Sequence, residues 1–119
     1  MQILRFKSAG RERVGLLDGG KVYDLSTLVP GTPPDMMAVL KAGPALIEQA
    51  RDALPGAEGM SLEDVAVLSP IERPGKFICM GLNYLEHVKE GGRDIPDYPT
   101  LFLRVQTSLL PPNGEIILP

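Results

Sequence analysis

The residues best suited to chemistry lie in one short stretch, Gly81-Leu82-Asn83-Tyr84-Leu85-Glu86-His87-Val88-Lys89-Glu90-Gly91-Gly92. His87 is the single histidine of the 119-residue chain, and Glu90 follows three residues later. On a helical turn, side chains three apart are neighbours on one face. A carboxylate there orients the imidazole and stabilises the imidazolium that forms when the ring accepts a proton. The pair therefore suits general-base chemistry, with His87 taking a proton from water and Glu90 stabilising the charged ring. The same spacing also occurs in ordinary surface pairs. As a metal site, a lone His-x-x-Glu offers two ligands, with no second His or paired Cys to complete it. Asp94 and Asp97, in a proline-bounded loop, read as solvated turn residues.

The pair needs an element to hold it. Lys76-Phe77-Ile78-Cys79-Met80 is a short apolar run that suits a strand buried on both faces, with Cys79 a small core residue. Gly81 lets the chain leave that strand sharply or lie close to a ligand. Asn83 as helix cap, with Glu86 three residues on, fits a capping box, so one or two helical turns are expected from Tyr84 to Glu90. Gly91 and Gly92 supply the exit. Strands are also expected at Leu101–Leu103 and Ile116–Leu118.

Upstream, apolar runs punctuated by Ser8-Ala9-Gly10-Arg11 and Asp18-Gly19-Gly20-Lys21 place strands near 2–7, 12–18 and 21–24. Thr32 as cap, Pro33 at the first position and Asp35 three residues on predict a helix carrying Met36, Val39 and Leu40, ended by Gly43. Pro44 opens a second helix with Leu46, Ile47, Ala50 and Leu54 apolar, stopped by Pro55-Gly56. Residues 56–75 read as a connector with a short strand near Val65–Leu68. The fold class is thus α+β and mostly β. A small domain over 1–70 is followed by the beginning of a second over 71–119.

Composition narrows the function. Hydrophobic residues make up 44% and charged residues 23%, a globular balance. Gly 13 and Pro 12 favour many turns over a helix bundle. Twelve basic and fifteen acidic residues give a net charge of −3 with no basic patch, which argues against nucleic acid and anionic membrane. No long apolar run or signal peptide is evident, and the single Cys79 suits a cytoplasmic protein.

The stretch Lys76 to Tyr84 with His87 and Glu90 resembles the signature that opens the catalytic domain of the fumarylacetoacetate hydrolase family. Pro96-x-x-Pro99-Thr100-Leu101-Phe102-Leu103-Arg104 with Ser108 resembles its proline-rich loop and strand. Pro112-Asn113-Gly114-Glu115 and the residues after it resemble its next turn and strand. Leu4-Arg5-Phe6, Gly15-Leu16-Leu17-Asp18 and Val22-Tyr23-Asp24-Leu25 resemble the small N-terminal domain of its prokaryotic members. The resemblance implies a mixed β-sandwich roll, usually in a homodimer. It implies hydrolysis of a carbon–carbon bond in a β-diketo acid, or a related decarboxylase, hydratase or lyase reaction on an oxo-acid. It makes His87 and Glu90 the water-activating dyad on a helix that acts as a lid in several members. It assigns Gly81, Asn83, Tyr84, Phe102 and Arg104 to substrate binding, Arg104 standing where the family usually has Lys. A Mg²⁺ or Mn²⁺ ion is implied for the complete enzyme, held by a Glu-x-Glu pair and a later Asp. This chain has no Glu-x-Glu, so the ligands are expected downstream of Pro119 and no metal is expected to bind here.

The leading expectation is the N-terminal part of such an enzyme, inactive as an isolated chain. It would have an oxo-acid substrate, a second copy as partner, and the remaining part of its catalytic domain as a further partner. The alternative is a truncated relic serving as an oligomerisation or interaction module. A third reading is an unrelated small β protein with His87–Glu90 as a surface pair.

Overall fold

A computed structural model describes residues 1–118. These form two compact units, residues 1–72 with the stretch from Leu110 onward, and Arg73–Leu109.

The first unit is built on a five-stranded antiparallel sheet. Its strands are β1 (Gln2–Ser8), β2 (Arg11–Asp18), β3 (Lys21–Asp24), β4 (Met60–Ser61) and β5 (Ala66–Leu68), in the order β4-β3-β2-β1-β5. The two tight hairpins expected at Ser8–Arg11 and Asp18–Lys21 set the registers Ser8↔Arg11 and Asp18↔Lys21. Strand alternation then sorts side chains between two faces. Val14 and Leu16 are buried with Leu25, Met36, Val39 and Ala50, under the helices α1 (Leu25–Leu28), α2 (Met36–Ala42) and α3 (Pro44–Asp52). Leu4, Phe6 and Val22 form a second cluster with Met60, Leu62, Val65 and Val67 packed on it. Phe6 lies across Gly15. A Cβ on Gly15 would sit 2.8 Å from the Phe6 ring and 2.7 Å from the Tyr23 carbonyl, so this position has room only for hydrogen.

One expectation for this unit is corrected. The α2 cap is Asp35, whose Oδ1 accepts from the Ala38 N–H at 2.9 Å, and not Thr32. Thr32 and Pro33 each precede a proline, which disfavours helical backbone there. The Thr32 hydroxyl instead donates to the Val29 carbonyl at 2.6 Å, just past the end of α1. Sequence reading also passed over α1 and β4, elements too short to show a period. Asp24 caps α1, accepting from the Ser26 N–H at 2.8 Å and the Ser26 hydroxyl at 2.6 Å. Its other oxygen accepts from Arg13. Burial pushes the Asp24 carboxyl upward, but these hydrogen bonds outweigh it and hold the group below its ordinary value.

The second unit holds a two-stranded antiparallel sheet of β6 (Ile78–Gly81) and β7 (Thr100–Leu103), with α4 (Leu85–Glu90) between them in sequence. Here the strand expected to be buried on both faces is not. Ile78 and Met80 project to an open face, and Cys79 is half-buried on the other. A two-stranded ribbon has no further layer to cover both sides. Residues 116–118, expected as a strand, have no strand partner and are exposed; Pro119, the last residue of that expected ending, lies outside the described residues. Among the described residues no helix is long and apolar enough to cross a membrane.

Candidate functional site

The residues singled out for chemistry all lie in the second unit. β6 runs to Gly81, and the chain turns at Leu82, a non-glycine residue at φ +52°. The sharp bend expected at Gly81 therefore falls one residue later. Tyr84, in extended backbone, occupies the helix cap and makes no side-chain cap bond. Asn83 sits one position too early to cap, and Glu86 does not close a capping box. Glu86 instead accepts from Lys89 Nζ at 3.0 Å. The six-residue helix ends in a Schellman arrangement. The Gly92 N–H donates to Lys89 at 3.0 Å and the Arg93 N–H to Val88 at 3.2 Å, with Gly92 at φ +59°. Val88 alone on α4 is buried, which turns the remaining residues outward.

That rotation sets the dyad. His87 Nδ1 and Glu90 Oε2 are 3.9 Å apart on one face, the side chains 69% and 78% exposed. At 3.9 Å the two groups make no direct hydrogen bond, and solvent screens any attraction between them. The helix thus presents the imidazole and the carboxylate side by side to solvent.

A separate cleft of 250 Å³ lies between the Met80–Asn83 bend and the 95–100 loop, with Gly81, Asn83, Asp97, Tyr98 and Thr100 in its lining. Of the residues assigned to substrate binding, Gly81 and Asn83 line it; Tyr84, Phe102 and Arg104 do not, nor do His87 and Glu90. Just past the end of β7, the Arg104 guanidinium carbon stands 5.4 Å from the centre of the Phe102 ring. This stack was not read from sequence, although Phe-x-Arg on a strand is its signal, since residues two apart share a face.

Among the described residues no three His, Cys, Asp or Glu side chains gather to hold a metal ion. The donor set of the described residues does not fit the Mg²⁺ or Mn²⁺ that the resemblance implies.

No protein-family model matches the chain. Curated relatives do, from end to end. The chain is 36% identical over its whole length to a mitochondrial oxaloacetate tautomerase, Fahd2a of Rattus norvegicus, spanning 40% of that protein. It is 32% identical to the fahd2 protein of Xenopus laevis, again over its whole length and 39% of the relative. It is 34% identical to a 2,4-didehydro-3-deoxy-L-rhamnonate hydrolase of a Sphingomonas strain, over 39% of that enzyme. Among solved structures, a protein from Mycobacterium smegmatis described as a putative HpcE protein superposes with a TM-score of 0.72 at 26% identity. That match covers 97% of this chain and 40% of the other. The chain thus spans about two-fifths of the length of the relatives it matches.

Proposed function

We propose, from the premise that this chain belongs to the fumarylacetoacetate hydrolase family along its whole length, that it carries the proton-transfer dyad of an enzyme acting on β-diketo or oxo-acids. The observation that supports this reading is the placement of His87 and Glu90 on one face of α4, 3.9 Å apart. His87 removes a proton from water, or from the carbon beside a carbonyl. Glu90 then stabilises the imidazolium. The first mode serves hydrolysis of a carbon–carbon bond, and the second serves the keto–enol exchange named for the tautomerase relatives.

The exposure of both side chains suits a lid. In water their attraction is weak, and closure over a substrate would strengthen it by excluding solvent. Gly81, Asn83, Tyr84, Phe102 and Arg104 are assigned to substrate contact. The divalent cation of the complete enzyme would draw its ligands from the part of the family fold that these residues do not supply. The same remaining part, and a second copy in a homodimer, are the partners proposed for the open faces of the second unit.

The experiment is a turnover assay of the full-length protein with oxaloacetate and with an acylpyruvate. His87→Ala is expected to lower kcat by about a hundred- to ten-thousand-fold, as for loss of a general base, with an unchanged circular dichroism spectrum. Turnover unaffected by that substitution would remove the dyad from the mechanism.

A further inference from the structure

We infer that the first unit carries a binding site of its own, a cleft for a small polyol anion: a hydroxylated carbon chain ending in a carboxylate or a phosphate group. The site lies in a different unit from the dyad and stands without the oxo-acid reading.

A cavity of 390 Å³ opens where β2 begins and β3 ends, and Arg11, Arg13, Asp24, Ser26 and Thr32 all reach its lining. That size lies in the range of small-molecule clefts. Arg11 and Arg13 are two apart on β2, so both project from one face of the strand. The hydroxyl hydrogens of the lining are already given away, that of Ser26 to Asp24 Oδ1 at 2.6 Å and that of Thr32 to the Val29 carbonyl at 2.6 Å. Both hydroxyl oxygens therefore have only acceptor capacity left. The side-chain donors that remain belong to the two guanidinium groups. Arg13 commits Nη1 to Asp24 while its side chain is still 36% exposed.

Among the described residues Arg11 has no ion-pair partner, unlike Arg5 and Arg13. The carboxylates of the lining do not cancel its charge. Asp24 is held by Arg13 and by the Ser26 N–H, and Glu12 is held by Arg5 at 2.7 Å. Arg11 is thus the unpaired charge of the cleft. Guanidinium donors beside bare oxygen acceptors select a ligand with the opposite set, an anionic head and hydroxyl donors. A plain anion leaves the acceptors unmet, and a neutral polyol leaves Arg11 unmet. Val14, Pro33 and Pro34 add an apolar wall for the carbon chain.

The test is an NMR titration of the full chain, following the Arg11 Nε–Hε signal and the Ser26 and Thr32 amide signals. The probes are gluconate, with sorbitol and acetate as controls, and glycerophosphate, with glycerol and inorganic phosphate as controls, all at matched ionic strength. A saturable shift with at least one probe is expected, about ten-fold tighter than with its controls. The probe that saturates identifies the head group as carboxylate or phosphate. Arg11→Gln should weaken binding about ten- to a hundred-fold, the loss of a charge-assisted hydrogen bond. Thr32→Val should weaken it about two- to ten-fold, with an unchanged circular dichroism spectrum. No saturable shift with either probe, or controls that bind as well as the probes, would overturn the site. So would an Arg11→Gln chain that binds as tightly as the parent, and a Thr32→Val chain that does so would overturn the hydroxyl recognition.

Discussion

The two units of this chain treat apolar side chains in opposite ways. The first hides them on both faces of its sheet, Val14, Leu16 and Leu25 on one side and Phe6 and Val22 on the other. The second sets Ile78, Met80, Leu101 and Leu103 together on one face of a two-stranded ribbon, each 51% to 75% exposed. The difference lies in the cover and not in the strands, since β6 and β7 carry no charged residue whereas β1, β2 and β3 each do. Residues 25–54 supply helices over one face of the first sheet, and Met60, Leu62, Val65 and Val67 pack on the cluster of the other face; Ile78, Met80, Leu101 and Leu103 have no such cover among the described residues of their unit. A unit that encloses its own core stabilises itself, whereas open aliphatic faces and unpaired edges await another layer. The candidate dyad and the Phe102–Arg104 stack belong to the open unit, where side chains remain reachable.

Substitutions can break this contrast. Phe6→Ala should cost about 3–5 kcal/mol, as for a large aromatic removed from a closed core. Urea unfolding followed by circular dichroism measures it, and a loss under about 1 kcal/mol would mean that the first unit is not closed around Phe6. Gly15→Ala should cost about 1–3 kcal/mol by driving a methyl into the Phe6 ring and the Tyr23 carbonyl.

Asp24→Ala should cost about 1–2 kcal/mol through the lost cap. It should also change the acid dependence of the first unit. The native Asp24 carboxyl titrates below its ordinary value of 3.8. Its contribution is complete above that value and is lost as pH falls through the lower native one. Denaturation midpoints between neutral pH and about pH 2 should therefore fall less steeply in the variant, and parallel curves would show that Asp24 is not the titrating group.

In the second unit the expected effects are smaller. Leu103→Ser and His87→Ala should each move the stability of the isolated chain by no more than about 0.5 kcal/mol, because neither side chain is buried. A larger loss for Leu103→Ser would show that this face is covered in solution, and a concentration-dependent midpoint would identify the cover as a second copy.

Much of the first unit was legible because its signals are local. Asp18-Gly19-Gly20-Lys21 names its own hairpin, and Pro44 and Gly43 mark one helix start and another's end. The misreadings came where two local rules competed. At Thr32 the capping pattern lost to the backbone restriction before Pro33 and Pro34. At Asn83 the capping box lost to a turn placed at Leu82, which leaves Tyr84 as the cap. The apolar run Phe77-Ile78-Cys79-Met80 was legible as a strand, but burial depends on what lies across from it. A run of one strand says nothing of that.

The sequence alone determined the antiparallel first sheet, the spacing of His87 and Glu90, and the family, since these follow from turn chemistry, helical period and a contiguous motif. Only the tertiary structure decided that Val88 faces inward and so turns the dyad to solvent, that the Asp24 carboxylate is held by Ser26 and Arg13, and that Arg104 lies on Phe102. The physical reason is that periodicity fixes which side chains share a face, whereas the neighbour that meets each face comes from packing between segments far apart in the chain or beyond it.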